Sequence, residues 1–500
     1  MLDGRTVDDT SNACDTTDRP HEPTTTAFPS KWLVFALVAA GVFMSTLDSS
    51  IVNIALPAIM DDFQVTLALI EWVPMIYLLT VSSLLLTFGR LSDIRGRRLV
   101  YCSGFIIFSA GSLLCGLAGG ATGLIAARSL QGAGAAMLMA CSQALVVDAF
   151  PLSERGRILG MVGMVVAAGL TTGPALGGLL LEHFPWRVIF YINVPIGIVV
   201  TIAALRILPR KPATRHHAPL DWTGALLLVI CFSAFITGLS HFHQWGATSI
   251  KLGLAVFLFL SSAAALAWVE THSAHPIFTP SLLRIRLFVF SVVAAVVVFI
   301  SLFFITFLMP FYMVHPLAFS MNHVGLTMMI PFVLLFFCAP IAGALSDRMG
   351  SRLLCTAGMA LMAVALFLLS RLTAQATTLD MAWRLALAGI GIAVFISPNS
   401  AAAMSAVPPQ HRGIASGSVA TARNLGMVIG VAAAGLIFNN TFRHLNGGHD
   451  LKRYTPALAP AFMAAFRQAM LAGAAVAAVG ILVAYLRGRD TGRNDGPYRP

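Results

Sequence analysis

The sequence predicts an all-α integral membrane protein: two six-helix halves plus two extra helices, about fourteen transmembrane helices in all. Three observations predict it: an extreme apolar composition, apolar runs of span length recurring along the chain, and an internal duplication. Of 500 residues, 57% are hydrophobic and only 11% charged, with a mean hydropathy of +0.82. Soluble domains are roughly half apolar and about a quarter charged, so lipid must be the solvent for most of this chain.

A span needs about 20 largely uncharged residues to cross ~30 Å of hydrocarbon. Such runs are read at 32–55, 71–88, 99–119, 122–148, 157–181, 187–208, 222–241, 250–269, 288–315, 324–345, 352–370, 381–406, 413–438 and 462–486. Residues 1–31 are polar, rich in Thr and Asp, and lack the basic-then-apolar layout of a cleavable signal. They are expected to be a disordered cytosolic tail, with a second cytosolic tail at 488–500.

The net charge of +11 does not point to nucleic acid, because the basic residues are scattered between apolar runs rather than gathered on a soluble domain. With the N-terminus placed in the cytosol, most of the 32 Lys and Arg fall in the inner segments, a bias that favours both termini inside. Arg128 and Arg423 lie within spans. The seven cysteines are dispersed with no CxxC pair or metal-ligand spacing, so they read as packing residues and no metal site is expected.

A repeat runs through the chain at a nearly constant offset. Gly89-Arg90-Leu91-Ser92-Asp93-Ile94-Arg95-Gly96-Arg97-Arg98 is echoed 254 residues later by Gly343-Ala344-Leu345-Ser346-Asp347-Arg348-Met349-Gly350-Ser351-Arg352. Leu56-Pro57 returns as Met309-Pro310, Arg155-Gly156 as Arg412-Gly413, and Gly169 with Gly173 as Gly426 with Gly430. Matches in the same order argue for duplication. The halves then occupy 32–208 and 287–487, with two extra helices and linkers at 209–286. Parallel halves around a midplane site are a transporter architecture, in which one half rocks against the other.

The Gly89–Arg98 stretch resembles the signature loop between helices 2 and 3 of the major facilitator superfamily. Leu47-Asp48-Ser49-Ser50-Ile51-Val52-Asn53-Ile54-Ala55-Leu56-Pro57 is similar to the helix-1 motif of its fourteen-helix drug:proton antiporter branch, the EmrB/QacA type. That pattern usually has Thr where Ser50 stands. Arg128-Ser129-Leu130-Gln131-Gly132-Ala133-Gly134 resembles the helix-4 motif, and Gly169 to Gly178 the antiporter motif of helix 5. Trp186-Arg187 followed by Phe190, Asn193, Pro195 and Gly197 is also typical of the branch. The resemblance implies a proton-coupled exporter of small lipophilic molecules or drugs, and a loop (Gly89, Arg90, Asp93, Gly96, Arg97, Arg98) that stabilises the outward-facing form.

The residues themselves support specific roles. Asp48 is the one carboxylate well inside an apolar run, and intramembrane acids are usually functional. It lies roughly 24 Å above Lys31 along a helix, and Arg128 falls at a similar depth. Arginine does not release its proton, so Asp48 is the proton-carrier candidate and Arg128 the charge that tunes it; a static buried pair is the plain alternative. Gly169, Gly173 and Gly177 permit close helix packing, with Gly178 beside them, and Pro174 permits a kink; small-residue packing alone explains the same spacing. For the loop arginines the plain reading is positive-inside anchoring. Asn53, Trp72, Tyr77, Gln131, Gln143, Phe190, Asn193, Tyr312 and Asn399 are candidates for lining a cavity, and helix packing explains any one of them equally well. His241 and His243 read as loop residues without a role.

ATP hydrolysis is excluded, since none of Lys31, Lys211, Lys251 and Lys452 follows a glycine as a GxxxxGK[ST] loop requires. No Ser-His-Asp-like cluster or sizeable soluble domain favours an enzyme. The expectation is a non-enzymatic, multi-pass protein of the cytoplasmic (inner) membrane with no cofactor, driven by a proton gradient, whose partners are a small-molecule substrate, often cationic, and membrane lipid. A metabolite exporter, symporter or facilitator of the same fold is the nearest rival. The outer segment at 439–461 is long enough to meet a periplasmic adaptor or outer-membrane channel, though nothing in it identifies one.

Overall fold

A computed structural model describes residues 31–151, 154–209, 222–245, 249–272, 282, 284–408, 412–449, 451 and 454–488. The two expected tails therefore lie almost wholly outside the described residues. The first half comprises α1 (Lys31–Phe63), α2 (Leu67–Ile70), α3 (Trp72–Arg95), α4 (Arg97–Gly116), α5 (Ala121–Ala149), α6 (Arg155–His183), α7 (Val188–Tyr191) and α8 (Asn193–Ile207). Between the halves stand α9 (Trp222–Trp245) and α10 (Ile250–His272). The second half comprises α11 (Arg286–Val314), α12 (Met321–Met349), α13 (Ser351–Leu369), α14 (Thr378–Ser405), α15 (Arg412–Leu445) and α16 (Ala459–Leu486).

Thirteen helices among the described residues are long and apolar enough to cross a membrane. The fourteenth expected span folds as α9, which has 24 residues, about 36 Å, although its apolar stretch, Leu226–Phe235, is short. Because α9 runs on to Trp245, His241 and His243 are helical rather than in a loop. Likewise α15 runs to Leu445, so much of the expected outer loop at 439–461 is helix. Helices can outrun their apolar stretches because backbone groups remain satisfied within the helix whether the surroundings are lipid or protein.

The duplication is visible in packing. Pairs α1 with α6, α3 with α5, α4 with α5 and α4 with α8 recur as α11 with α15, α12 with α14, α13 with α14 and α13 with α16. The halves join along two equivalent seams, α6 against α12 and α3 against α15, while α9 packs on α10 and straps both α3 and α15. At the first seam Gly178 and Gly325 face each other: a Cβ on Gly178 would come within 2.6 Å of the Met321 carbonyl and 2.9 Å of Gly325 Cα. Two glycines let the backbones touch where any side chain would separate the halves.

The ends of the described chain share one face of the bundle, called here the tail face. On it Lys31 bridges Glu154 at 2.7 Å and Arg286 donates to the Leu486 carbonyl at 2.7 Å. On the opposite face Arg187 and Trp186 Nε1 both reach Asp62 at 3.0 Å, clamping the end of α1 to the entry of α7.

Candidate functional site

The interior of the first half holds one polar cluster, and its sequence logic begins on α5. Arg128 and Gln131 are three residues apart, so they share a helix face. That face meets α1 at Asp48, where Arg128 Nη1 lies 2.5 Å from Asp48 Oδ2 and Gln131 Nε2 donates to Asp48 Oδ1 at 2.8 Å. Asn193, the first residue of α8, donates its Nδ2 to the same Oδ1 at 3.1 Å. The Gln131 amide closes the network, accepting from Arg128 Nη1 at 2.6 Å and donating to Ser112 on α4 at 2.7 Å. Asp48, Arg128 and Gln131 are fully buried.

The guanidinium is held on its other sides as well. Its Nε donates to the Val73 carbonyl at 3.3 Å, and its plane lies over the Tyr77 ring at 4.1 Å and the Phe190 ring at 5.8 Å. Nη2 has no hydrogen-bond partner, and the electron-rich ring faces are what stabilise its charge there. Helices α1, α3, α4, α5, α7 and α8 thus converge on one ion pair whose carboxylate accepts from three donors. A buried pair with this many supports is worth little as net stability but is costly to break.

Helix α6 connects this half to the other. A Cβ on Gly169 would collide with Thr46, one on Gly173 with Ser50 Cβ at 2.6 Å, and one on Gly177 with Ile51 at 2.7 Å, so the three glycines seat α6 on α1. Pro174 has no N–H, which leaves the Leu170 carbonyl without its helical donor. Ser50 Oγ supplies one at 3.1 Å. The Pro174 carbonyl and Gly178 face α12 at Gly325. One helix therefore rests on the Asp48 helix with one face and on the other half with the next. Gly426 and Gly430 seat α15 on α11 in the same way.

The Gly89–Arg98 stretch departs from its expected form as a loop. Gly89 to Arg95 are helical within α3, and the break is the single residue Gly96 at φ +92°, a conformation glycine adopts without a Cβ penalty. Gly350 repeats it at φ +83° between α12 and α13. Arg97 pairs with Asp148 of α5 at 2.6 Å and with Asp93 at 3.4 Å, and Arg98 donates to the Leu205 carbonyl of α8. These charges tie α3, α4, α5 and α8 of one half together at the tail face.

Among the cavity candidates, only Gln143 is exposed, and it accepts from Ser416 of the other half at 3.3 Å. Gln131 belongs to the Asp48 cluster. Tyr77 donates to the Ser45 carbonyl at 3.0 Å, Asn53 to Ser49 at 3.0 Å, Tyr312 to Thr373 at 2.6 Å and Asn399 to Ser291 at 3.0 Å. These four pack within a half, since polar groups at this depth find partners in their own bundle. Sequence reasoning gave no place to Ser112, Asp148 or Glu71. Glu71 is in fact only 2% exposed and lies at the α3–α15 seam, where Gly435 makes room for its carboxylate. Its signal in the sequence was a carboxylate directly before an apolar run, which by itself marks an ordinary helix start. No group of three or more His, Cys, Asp or Glu among the described residues would hold a metal ion.

Known proteins give this geometry a family. The chain is 33% identical over 466 residues to the riboflavin transporter RibZ of Clostridioides difficile, covering 93% of this chain and 99% of that protein. It is 31% identical over 407 residues to the multidrug resistance protein Stp of Mycobacterium tuberculosis (81% and 75% covered) and 29% over 410 to the multidrug transporter protein MdtP of Bacillus subtilis (81% and 75%). In fold it resembles a bacterial homologue of the human lysosomal transporter Spinster in an inward-facing, unoccupied conformation, at TM-score 0.67 and 15% identity over 92% of this chain and 97% of that one. The family model described as Major Facilitator Superfamily matches residues 38–308 and 291–499, and with its two packed six-helix halves the chain belongs to that superfamily of membrane transporters.

Proposed function

We propose that the chain is a proton-coupled antiporter of the fourteen-helix drug:proton type, exporting small lipophilic molecules across the cytoplasmic membrane by alternating access, with its tail face in the cytosol. The observation that carries the reading is Asp48, a fully buried carboxylate that accepts from Arg128, Gln131 and Asn193. A proton on Oδ1 displaces one of its two donors, and a proton on Oδ2 removes the negative charge that Arg128 faces, so the cluster holds α1 less tightly in either case. That loosens α1 against α5 or α8, and α1 carries α6, which carries the seam with α12. Proton binding on one half is thereby connected to the contact that holds the halves together, the coupling an antiporter requires. The multidrug relatives support drugs as cargo.

A second reading has its own observation. RibZ matches nearly end to end, which favours a transporter dedicated to one solute such as a flavin. The test is efflux of lipophilic cations, neutral antibiotics and riboflavin from proteoliposomes under an imposed pH gradient, for the wild type and Asp48→Asn. Gradient-driven transport lost in the variant is the expected result. Transport that persists without a gradient, or that ignores the substitution, rejects antiport; transport of riboflavin alone selects the dedicated transporter.

A further inference from the structure

Arg128 of the first half is paired with Asp48, whereas Arg423 of the second half has no ion pair among the described residues. Arg423 sits on α15 eleven residues from the start of the helix, about 16 Å along it. Among the described residues it has no ion pair and no hydrogen bond, and its Nε is buried without an acceptor. Helix α15 is packed by α3, α9, α11, α14 and α16, and the Arg423 side chain is half-buried among them.

The direction it faces follows from helix geometry. Ser416, Arg423 and Gly430 are spaced by seven and form one stripe. At the upper end of the stripe Gly430 touches Ile300 and Phe303 of α11, and Gly426 touches Val296 and Phe299. At the lower end Ser416 reaches across to the exposed Gln143 of the other half. Arg423 lies between them, where the stripe passes from its contact with α11 toward its contact with the other half. The fold itself does not need a charge there: at the offset of 257 residues that relates Gly426 to Gly169, the counterpart of Arg423 is Val166.

An unpaired cation inside a membrane protein is expensive and calls for a partner. We infer that Arg423 anchors an anionic group of the transported solute, a carboxylate in its simplest form, so that the preferred cargo is an amphipathic acid. A planar guanidinium binds a carboxylate through two parallel N–H···O bonds, and a charged hydrogen bond of this kind is worth a factor of roughly 10–100 in affinity. The cargo thereby supplies the counter-charge that Arg423 lacks among the described residues. In naming the cargo, this assignment rests on the transport reading above, but its binding step can be measured apart from it.

The test uses the full-length protein in neutral detergent and a fluorescent amphiphile carrying a free carboxylate, compared with its methyl ester. The wild type is expected to bind the acid at least about 10-fold more tightly than the ester. Arg423→Gln should abolish that preference by weakening the acid alone, Arg423→Lys should keep part of it, and unchanged ester binding certifies the fold. Equal binding of acid and ester by the wild type, or equal loss of both in Arg423→Gln, overturns the assignment. Flux in phosphatidylcholine vesicles under a pH gradient separates the two proposals. An acid preference without gradient-driven flux rejects antiport and keeps the anchor, whereas gradient-driven flux in which Arg423→Gln keeps the full acid-over-ester preference of the wild type keeps antiport and rejects the anchor.

Discussion

Removing the Asp48–Arg128 pair whole should cost less than the sum of breaking it from either side. Asp48→Asn leaves Arg128, fully buried, with only neutral oxygens (the new amide, Gln131 and Val73) and two ring faces for its charge. Arg128→Leu leaves the carboxylate with the Gln131 and Asn193 amides. Losing one member of a buried pair costs about 3–5 kcal/mol, because the survivor's desolvation is no longer offset. In Asp48→Asn/Arg128→Leu no charge remains, so the double variant should lose less than the two single losses summed, with a coupling on the order of 2–3 kcal/mol. Reversible unfolding in mixed micelles measures all four corners of this cycle. Additive losses, with coupling below about 0.5 kcal/mol, would show that the two charges do not stabilise each other in the folded chain and would remove the basis for routing proton binding through Arg128.

Other positions give independent readouts. Gly178→Leu drives a side chain into the Met321 carbonyl and Gly325 Cα; transport should fall while folding persists, and cysteines placed across the α6–α12 seam should become more reactive. Ser50→Ala orphans the Leu170 carbonyl beside Pro174 and should cost about 1–3 kcal/mol, whereas Ser50→Thr, which keeps the hydroxyl, should be nearly neutral in the same unfolding assay. Burial holds the His315 imidazole, just beyond α11, down at about 4, with Phe311, Tyr454 and Phe462 around it. The unfolded chain then binds the extra proton, so this stability is present above the ordinary histidine range near 6.5 and is lost as pH falls from there toward 4. The loss approaches about 3 kcal/mol, and His315→Phe should flatten that part of the stability–pH curve.

Much of the architecture was legible in the linear chain because a bilayer imposes a simple requirement, namely long apolar helices that satisfy their own backbones. The repeated Gly-Arg-Leu-Ser-Asp and Gly-Ala-Leu-Ser-Asp stretches, and the recurrence of Gly169 with Gly173 as Gly426 with Gly430, revealed two halves before any contact was known. Asp48 and Arg128 stood out for the same reason, since charge in a lipid-length run is costly enough to be conspicuous without coordinates.

What the sequence by itself determined, then, is solvent, helix number to within the short apolar stretch of α9, duplication, and the presence of one acid and two arginines at depth. Tertiary structure alone decided who meets whom. It brought Asn193 to the acid from α8 and Ser112 to the acid's partner Gln131 from α4, gave the Leu170 carbonyl to Ser50, set Gly178 against Gly325, and left Arg423 with no counter-charge among the described residues while Arg128 found one. The division has a physical cause. Partition between water and lipid depends on local composition and is written along the chain, whereas hydrogen-bond partners and close helix approaches depend on how helices distant in sequence cross, which no single stretch of residues encodes.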